Sequence, residues 1–185
     1  MREAMSPPPI EEAPVPVVME VNPFYVGMGV GSASINDDTT EEEITSTMFL
    51  LQAGYQYNPY VAFEGRVSFG FNTDYKAGRT TNTPGDYDSD IYSWDIYVKP
   101  MYPVIEAFDV YALLGYGGTQ LGNLESGDAY EGSFQWGLGA QYEVMENVLI
   151  FADYVSLYNG TGFDYRVQQD DVDADEWIVG LTYRF

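Results

Sequence analysis

Residues 177–185 read Trp177-Ile178-Val179-Gly180-Leu181-Thr182-Tyr183-Arg184-Phe185. Large apolar side chains occupy every second position of this stretch, and mostly smaller or polar residues stand between them. Successive side chains of a β-strand point to opposite faces of the sheet. The stretch therefore predicts a strand with one apolar, aromatic face and a second face that carries Ile178, Gly180, Thr182 and Arg184.

Seven earlier segments alternate in the same way and are predicted to be strands as well. They lie near residues 23–32, 48–57, 61–71, 91–102, 110–118, 134–144 and 148–158. Their second face consists mainly of Gly, Gln, Ser and isolated charges, which suits a narrow enclosed interior. The exposed face of a soluble β-sandwich is expected to be rich in Lys, Thr and Glu instead. A soluble lipocalin-like barrel also fits poorly, because its apolar face would point inward and leave the Gly/Gln face in water.

Long and short connections alternate between these segments. Residues 33–46, 72–90, 119–131 and 159–175 form the long ones, and residues 58–60, 103–108 and 145–147 form the short ones. Long extracellular loops and short periplasmic turns are typical of outer-membrane barrels. We predict an all-β fold, an eight-stranded antiparallel up-and-down transmembrane β-barrel over residues 22–185, with both termini in the periplasm. Residues 1–21 are rich in proline and are predicted to form an extended periplasmic tail.

The last predicted strand resembles the closing strand of small outer-membrane barrels of the OmpX, OmpA and opacity-protein type. Residues Met145-Glu146-Asn147-Val148 resemble the last periplasmic turn of the OmpX-type proteins. The resemblance covers residues 22–185, and it implies a place in the bacterial outer membrane, with lipid and lipopolysaccharide as partners. In such families the terminal aromatic residue is the signal read by the barrel assembly machinery. That signal corresponds here to Phe185, with Tyr183 two positions before it.

Charge and the missing residue types exclude several functions. The chain has 29 acidic and 7 basic residues and a formal net charge of −22, and nucleic-acid binding needs clustered Lys and Arg. It has no cysteine, which excludes disulfides and thiolate metal sites. It has no histidine, which excludes a Ser–His or Asp–His mechanism. We therefore predict a protein that is not an enzyme and uses no cofactor.

Seven charged side chains fall on the inward face of the predicted strands. They are Glu64, Arg66, Asp95, Lys99, Glu143, Asp153 and Arg184. An enclosed charge without a partner is strongly destabilising, so we predict a lumenal charge network in which Arg66 and Lys99 each contact a carboxylate. Arg184 is expected beside the residues Gly27, Gly29 and Gly31, which leave room for a long side chain.

This network has two interpretations. It is either a plug that fills the interior or a gate on a narrow ion path, as proposed for OmpA-like barrels. We favour the plug, because eight strands enclose little more than the width of their own side chains.

The long connections carry most of the acidic residues. These are Asp37, Asp38, Glu41, Glu42, Glu43, Asp86, Asp88, Asp90, Glu125, Asp128, Glu131, Asp170, Asp171, Asp173, Asp175 and Glu176. They form either a solvated surface, which we favour, or carboxylate clusters that bind divalent cations and bridge to lipopolysaccharide. Asp171, Asp173 and Asp175 have the opening spacing of a calcium loop, but Glu176 and Thr182 stand where that motif needs Gly and Glu. A loose cluster that includes Asp170 is the remaining metal candidate.

The sequence leaves two functions open. The first is a non-catalytic barrel with a structural or surface-interaction role through its acidic loops, with an extracellular or periplasmic protein as a further partner. The alternative is a narrow porin-like channel for ions or small molecules, which requires the inward charges to separate.

Overall fold

The computed structural model describes residues 22–37, 42–76, 91–121, 129–161 and 171–185, which form eight β-strands. The strands are Phe24–Asp37 (β1), Glu42–Asn58 (β2), Val61–Lys76 (β3), Ile91–Ile105 (β4), Phe108–Leu121 (β5), Ala129–Met145 (β6), Val148–Thr161 (β7) and Asp171–Arg184 (β8). None of the described residues belongs to a helix long and apolar enough to cross a membrane. The predicted tail, residues 1–21, lies outside the described residues.

The strands form one closed antiparallel barrel in chain order, in which β1 pairs with both β2 and β8. The predicted eight-stranded barrel is therefore confirmed. Following the paired residues once around the barrel leads from Phe24 to Ser34 on the same strand, a stagger of ten residues. Such a stagger tilts the strands against the barrel axis, and eight strands at this tilt enclose a space that side chains can fill.

Alternation along each strand separates an apolar outer wall from a mixed interior. Exposed outward residues near the middle of the strands include Met28, Leu51, Ile96, Leu138 and Val179. Aromatic side chains border this apolar zone at both ends of the barrel. On β7, Tyr154 contacts Trp136 of β6 and Trp177 of β8, with ring centroids 6.1 and 5.0 Å away. Near the short turns, Phe24 packs on Tyr55 and Tyr183 packs on Phe185, with centroids 5.2 and 5.4 Å apart. An apolar band between two aromatic girdles is typical of a lipid-facing barrel.

The strands extend further at the long-loop end than the sequence predicted. Residues 33–37, 42–46, 72–76, 119–121, 129–131, 159–161 and 171–175 were assigned to the long connections but belong to strands. Asp37, for example, pairs with Glu42 in β2 and with Val172 in β8. Backbone hydrogen bonding continues here past the apolar band, where neither face needs to be apolar. The alternation that marks a half-buried strand therefore fades, although the strand continues.

The apolar wall makes a quantitative prediction for the variant Leu138→Arg. Leu138 is 60% exposed near the middle of β6, so its substitution places a charge in the hydrocarbon core and should lower the free energy of unfolding by about 2–4 kcal/mol. The control Val144→Arg lies beside the turn after Met145 and should cost at most about 1 kcal/mol. Urea titration in lipid vesicles, read by tryptophan fluorescence, measures both. Equal costs at the two positions would contradict a lipid-facing wall.

Candidate functional site in the barrel interior

The inward positions of β3, β4 and β7 bring five of the seven predicted charges into the interior. Glu64 and Arg66 lie on β3, Asp95 and Lys99 on β4, and Asp153 on β7; each is at most 3% exposed. Glu64 and Arg66 are two residues apart, so both point inward from the same strand. The register then places Arg66 opposite Asp95 on the neighbouring strand.

Glu64 is the centre of one half of this network. Its Oε1 accepts a hydrogen bond from Arg66 Nε at 2.7 Å. Its Oε2 accepts hydrogen bonds from the Tyr25 hydroxyl at 2.6 Å and from Lys99 Nζ at 3.1 Å. One carboxylate therefore faces two cations and a phenol, and both of its oxygens are satisfied.

Asp153 organises the other half from across the barrel. It receives two hydrogen bonds from the Arg66 guanidinium, at 3.2 and 2.7 Å, and one from the Tyr111 hydroxyl at 2.9 Å. The bidentate geometry matches the planar fork of arginine to a carboxylate. Lys99 Nζ also lies 3.9 Å from the centroid of the Tyr111 ring, which adds a cation–π contact. The sequence placed Tyr25 and Tyr111 on the inward face but did not identify them as partners of the acids.

Arg184 and Glu143 form a separate group at the end that bears the short turns. Arg184 lies 3.6 Å from Glu143 and 3.7 Å from Asp109, and the three side chains are partly exposed. Asp109 was missed by the sequence analysis, although it occupies an inward position two residues before Tyr111. Its Oδ2 also accepts a hydrogen bond of 2.8 Å from Gln141.

The expected position of Arg184 beside the glycines of β1 is wrong. Arg184 pairs with Tyr25, at the start of that strand. The space beside Gly27 is taken by Gln52, and the space beside Gly29 is taken by Ile178. The stagger of the strands moves the closing end of β8 toward the turn side of the barrel, away from the glycines.

Asp95 is buried with the other charges but joins no ion pair among the described side chains. Its Oδ2 accepts a hydrogen bond of 3.3 Å from Ser93, and the Gln135 amide lies beside its carboxylate. Glu176 is buried in the same way, since it is 2% exposed, and Ser68 lies beside its carboxylate. Glu176 was predicted to be one of the loop acids. The alternation of β8 could have predicted its position. Glu176 lies an even number of residues before Ile178 and Thr182, so its side chain points to the same inward face.

Apolar side chains fill much of the remaining interior, although the inward face was expected to consist mainly of Gly, Gln, Ser and isolated charges. Ala33, Met48, Leu50, Phe151 and Ile178 form one buried cluster. A cavity of about 10 Å³ remains near the short turns, which is room for a single water molecule. Its lining residues are Tyr25, Gln56, Lys99, Met101, Gln141, Thr182 and Arg184.

The candidate metal carboxylates of the last long connection do not form a site in the described part of the chain. Asp170 lies outside the described residues, and Asp171 begins β8 but its side chain is not described. Asp173 and Asp175 lie an even number of residues before Trp177, so they lie on the outer wall as Trp177 does. The described residues contain no group of three or more acidic, histidine or cysteine side chains that could hold a metal ion.

Comparison with known proteins gives consistent matches. Residues 13–185 match the family model of the outer membrane protein beta-barrel domain. The chain is 28% identical to outer membrane protein X of Escherichia coli strain K12 over 112 residues, and the match spans 57% of each protein. The chain thus covers little more than half the length of this relative.

Solved structures of other barrels share the fold. Neisserial surface protein A is 21% identical to the chain, with a TM-score of 0.59 over 88% of this chain and 97% of that one. Ail of Yersinia pestis, solved in complex with the heparin analogue sucrose octasulfate, is 19% identical, with the same TM-score and the same coverage. At these identities the likeness concerns the fold alone.

The interior network predicts a large difference between two arginine variants. Arg66→Ala leaves Glu64 and Asp153 buried without their shared cation and should lower the free energy of unfolding by about 3–5 kcal/mol. Arg184→Ala removes a longer, partly exposed pair and should cost at most about 1 kcal/mol. Urea unfolding of both variants in the same lipid provides the comparison. A neutral Arg66→Ala variant would show that the barrel does not depend on this network.

Proposed function

Since the chain belongs to the outer membrane protein beta-barrel domain family, we propose that it is a non-catalytic protein with a structural or surface-interaction role. The chain is a transmembrane β-barrel of the bacterial outer membrane. The observation that carries the proposal is the filled interior. Hydrogen-bonded charges and an apolar cluster occupy the space through which a solute would pass. We therefore propose that the surfaces outside the membrane carry the function of the protein.

The loop end of the barrel is the surface best suited to contact a partner. All three short turns lie at the end where β1 begins and β8 ends, which is the periplasmic end in barrels of this kind. The four long connections are therefore extracellular. Together with the strand ends that adjoin them, they carry most of the acidic residues behind the net charge of −22. Binding residues often occupy loops on a rigid scaffold, and this arrangement supports a role at the cell surface.

The acidic character of the loop end limits the chemistry of its partners. Ail was solved with a sulfated, anionic ligand, whereas the acidic loops of this chain should repel such a ligand. We propose partners that are cationic, or anionic partners such as lipopolysaccharide that are bridged through divalent cations. Asp170, Asp171, Asp173 and Asp175 are the candidate carboxylates for such bridges.

Catalysis is disfavoured by the absence of histidine and by the ion pairs that engage Glu64 and Asp153. Histidine is absent from the sequence, and Glu64 and Asp153 already accept hydrogen bonds from cations and phenols. A general base must be free to take a proton from a substrate within hydrogen-bonding reach. This supports the proposal that the chain is not an enzyme.

We also propose that Tyr183 and Phe185 are contacts for the barrel assembly machinery. Phe185 is exposed, follows the last strand, and donates a backbone hydrogen bond of 3.1 Å to Phe24 at the seam. Phe185→Ala should reduce the amount of folded protein in outer membranes, measured by heat-modifiable gel mobility. Tyr102→Ala removes another exposed aromatic side chain from the same end of the barrel and should leave that amount unchanged. Equal loss in both variants would indicate a general role of the girdle instead.

The filled interior predicts poor conductance in planar bilayers. Purified full-length chain should give no steady channels, because the Arg66 ion pairs and the Met48–Leu50 region close the interior at different depths. Single-channel recording at several salt concentrations makes the measurement, with a trimeric porin as the positive control. Steady, salt-dependent channels in the unmodified protein would overturn the proposed role and favour the narrow channel.

A further inference from the structure

We propose that the membrane leaflet at the loop end is thinner along the seam side of the barrel, formed by β7, β8 and β1, than along the far side, formed by β3 and β4. The partner at this surface is lipid, and its polar layer meets the barrel at a lower height on the seam side. This property of the outer wall is independent of the proposed surface role.

The outward rows of the two sides differ in length. Within each strand, counted from the short-turn end, an outward row carries apolar or aromatic residues or glycine before its first polar side chain. On the far side, residues 61–71 of β3 and 92–102 of β4 each provide six such positions. On the seam side, residues 24–30 of β1, 148–154 of β7 and 177–183 of β8 each provide four. The apolar wall is therefore two outward positions shorter at the seam.

The lower ends of the two rows are nearly level. Pairing from Phe24 leads in three steps around the barrel to Val98. The stagger of the closed barrel raises Val98 above Phe24 by about four residues, and Tyr102 lies four residues from Val98 toward the turn. An outward position adds about 7 Å along a strand tilted by about 45°, so two positions add about 10 Å of height. The difference between the rows therefore falls at the loop end.

Above its shorter apolar row, the seam side is polar but remains part of the sheet. Ser32 follows the row of β1, Ser156 follows that of β7, and Asp175 follows that of β8. Asp175 pairs with Ser34 on one side and with Ser156 on the other. Because these backbones are held in the ladder, the polar side chains cannot move away from lipid as a loop could. At the same height on the far side stands Trp94, eight residues above Tyr102 as Ser32 is eight above Phe24.

A short apolar wall can fit a membrane by snorkelling of its flanking residues, by oligomerisation, by tilting or by thinning of the bilayer. Serine and aspartate side chains are too short to snorkel, which needs the long stems of Lys and Arg. Contact between the seam sides of two copies would bring Asp173 and Asp175 close to the same acids of the second copy, and like charges repel. Tilting would displace the level girdle at the turn end from its interface. Local thinning satisfies all three conditions.

The depth of labels on the outer wall tests the proposal in the full-length chain, which contains no cysteine. Ser32→Cys and Ser156→Cys place a nitroxide on the seam side, and Trp94→Cys and Phe69→Cys place it at matching heights on the far side. In dioleoylphosphatidylcholine bilayers, the ratio of oxygen to nickel-chelate collision rates gives the depth of each label below the local lipid surface. We expect the far-side labels to lie in hydrocarbon and the seam-side labels in the polar layer, a difference of about 10 Å.

Matched controls at the turn end separate thinning from tilting. Phe24→Cys on the seam side and Tyr102→Cys on the far side should place the label at equal depth. Equal depths of the four upper labels would show an even membrane and overturn the proposal. A difference at the lower pair as large as that at the upper pair would also overturn it, because a tilted barrel shifts both ends of one side together.

A longer apolar row at the seam tests the cause of the thinning. Ser32→Val/Asp175→Val adds one apolar position to β1 and one to β8. The local lipid surface should then rise, and the label at Ser156→Cys should become deeper by about 5 Å. A label that keeps its original depth would show that the height of the apolar wall does not set the local thickness, and the proposal would be wrong.

Discussion

Water is absent from the hydrocarbon core of a membrane, so each backbone amide there must find its hydrogen-bond partner within the protein. This chain meets the requirement by pairing β1 with β8, which leaves the sheet without an edge. Closure has a second consequence, because it divides every strand into an outward and an inward row. Outward residues face lipid, and inward residues share a space that is barely wider than a side chain. Because the inward charged residues share this narrow space, they form ion pairs with one another.

The alternation of residues was sufficient to predict the barrel and the inward row. Trp177, Val179, Leu181 and Tyr183 share one face because a strand has a period of two, and the same rule puts Glu64 and Arg66 on one side of β3. Alternation does not predict how far a strand extends beyond the apolar band, where both of its faces contact water. For that reason the sequence predicted the end of β1 near Ser32, whereas the backbone pairing of β1 continues to Asp37.

Which inward side chains contact each other depends on the stagger of the strands. That stagger cannot be predicted from a single sequence. Arg66 reaches Asp153, 87 residues away and on a strand that does not adjoin its own. Arg184 was misplaced for the same reason, since its height in the barrel follows from the register between β8 and β1. Glu176 was hidden by its neighbours, because it follows the acidic run that begins at Asp170 and resembles a loop residue. The apolar cluster around Leu50 and Phe151 was not predicted, because the inward face was expected to consist mainly of small, polar and isolated charged residues.

The contacts across the interior also fix the cross-section of the barrel. Tyr25 joins β1 to β3 through Glu64, Gln52 joins β2 to β8 through Thr182, and Tyr111 joins β5 to β7 through Asp153. None of these pairs links adjacent strands. Each one therefore resists flattening of the barrel, whereas the backbone hydrogen bonds join only neighbouring strands. A rigid cross-section fixes the spacing of the four extracellular connections, whatever shape the connections themselves take. The buried network thus holds the strand ends at the loop side of the barrel at constant separation, although it does not extend to that side itself.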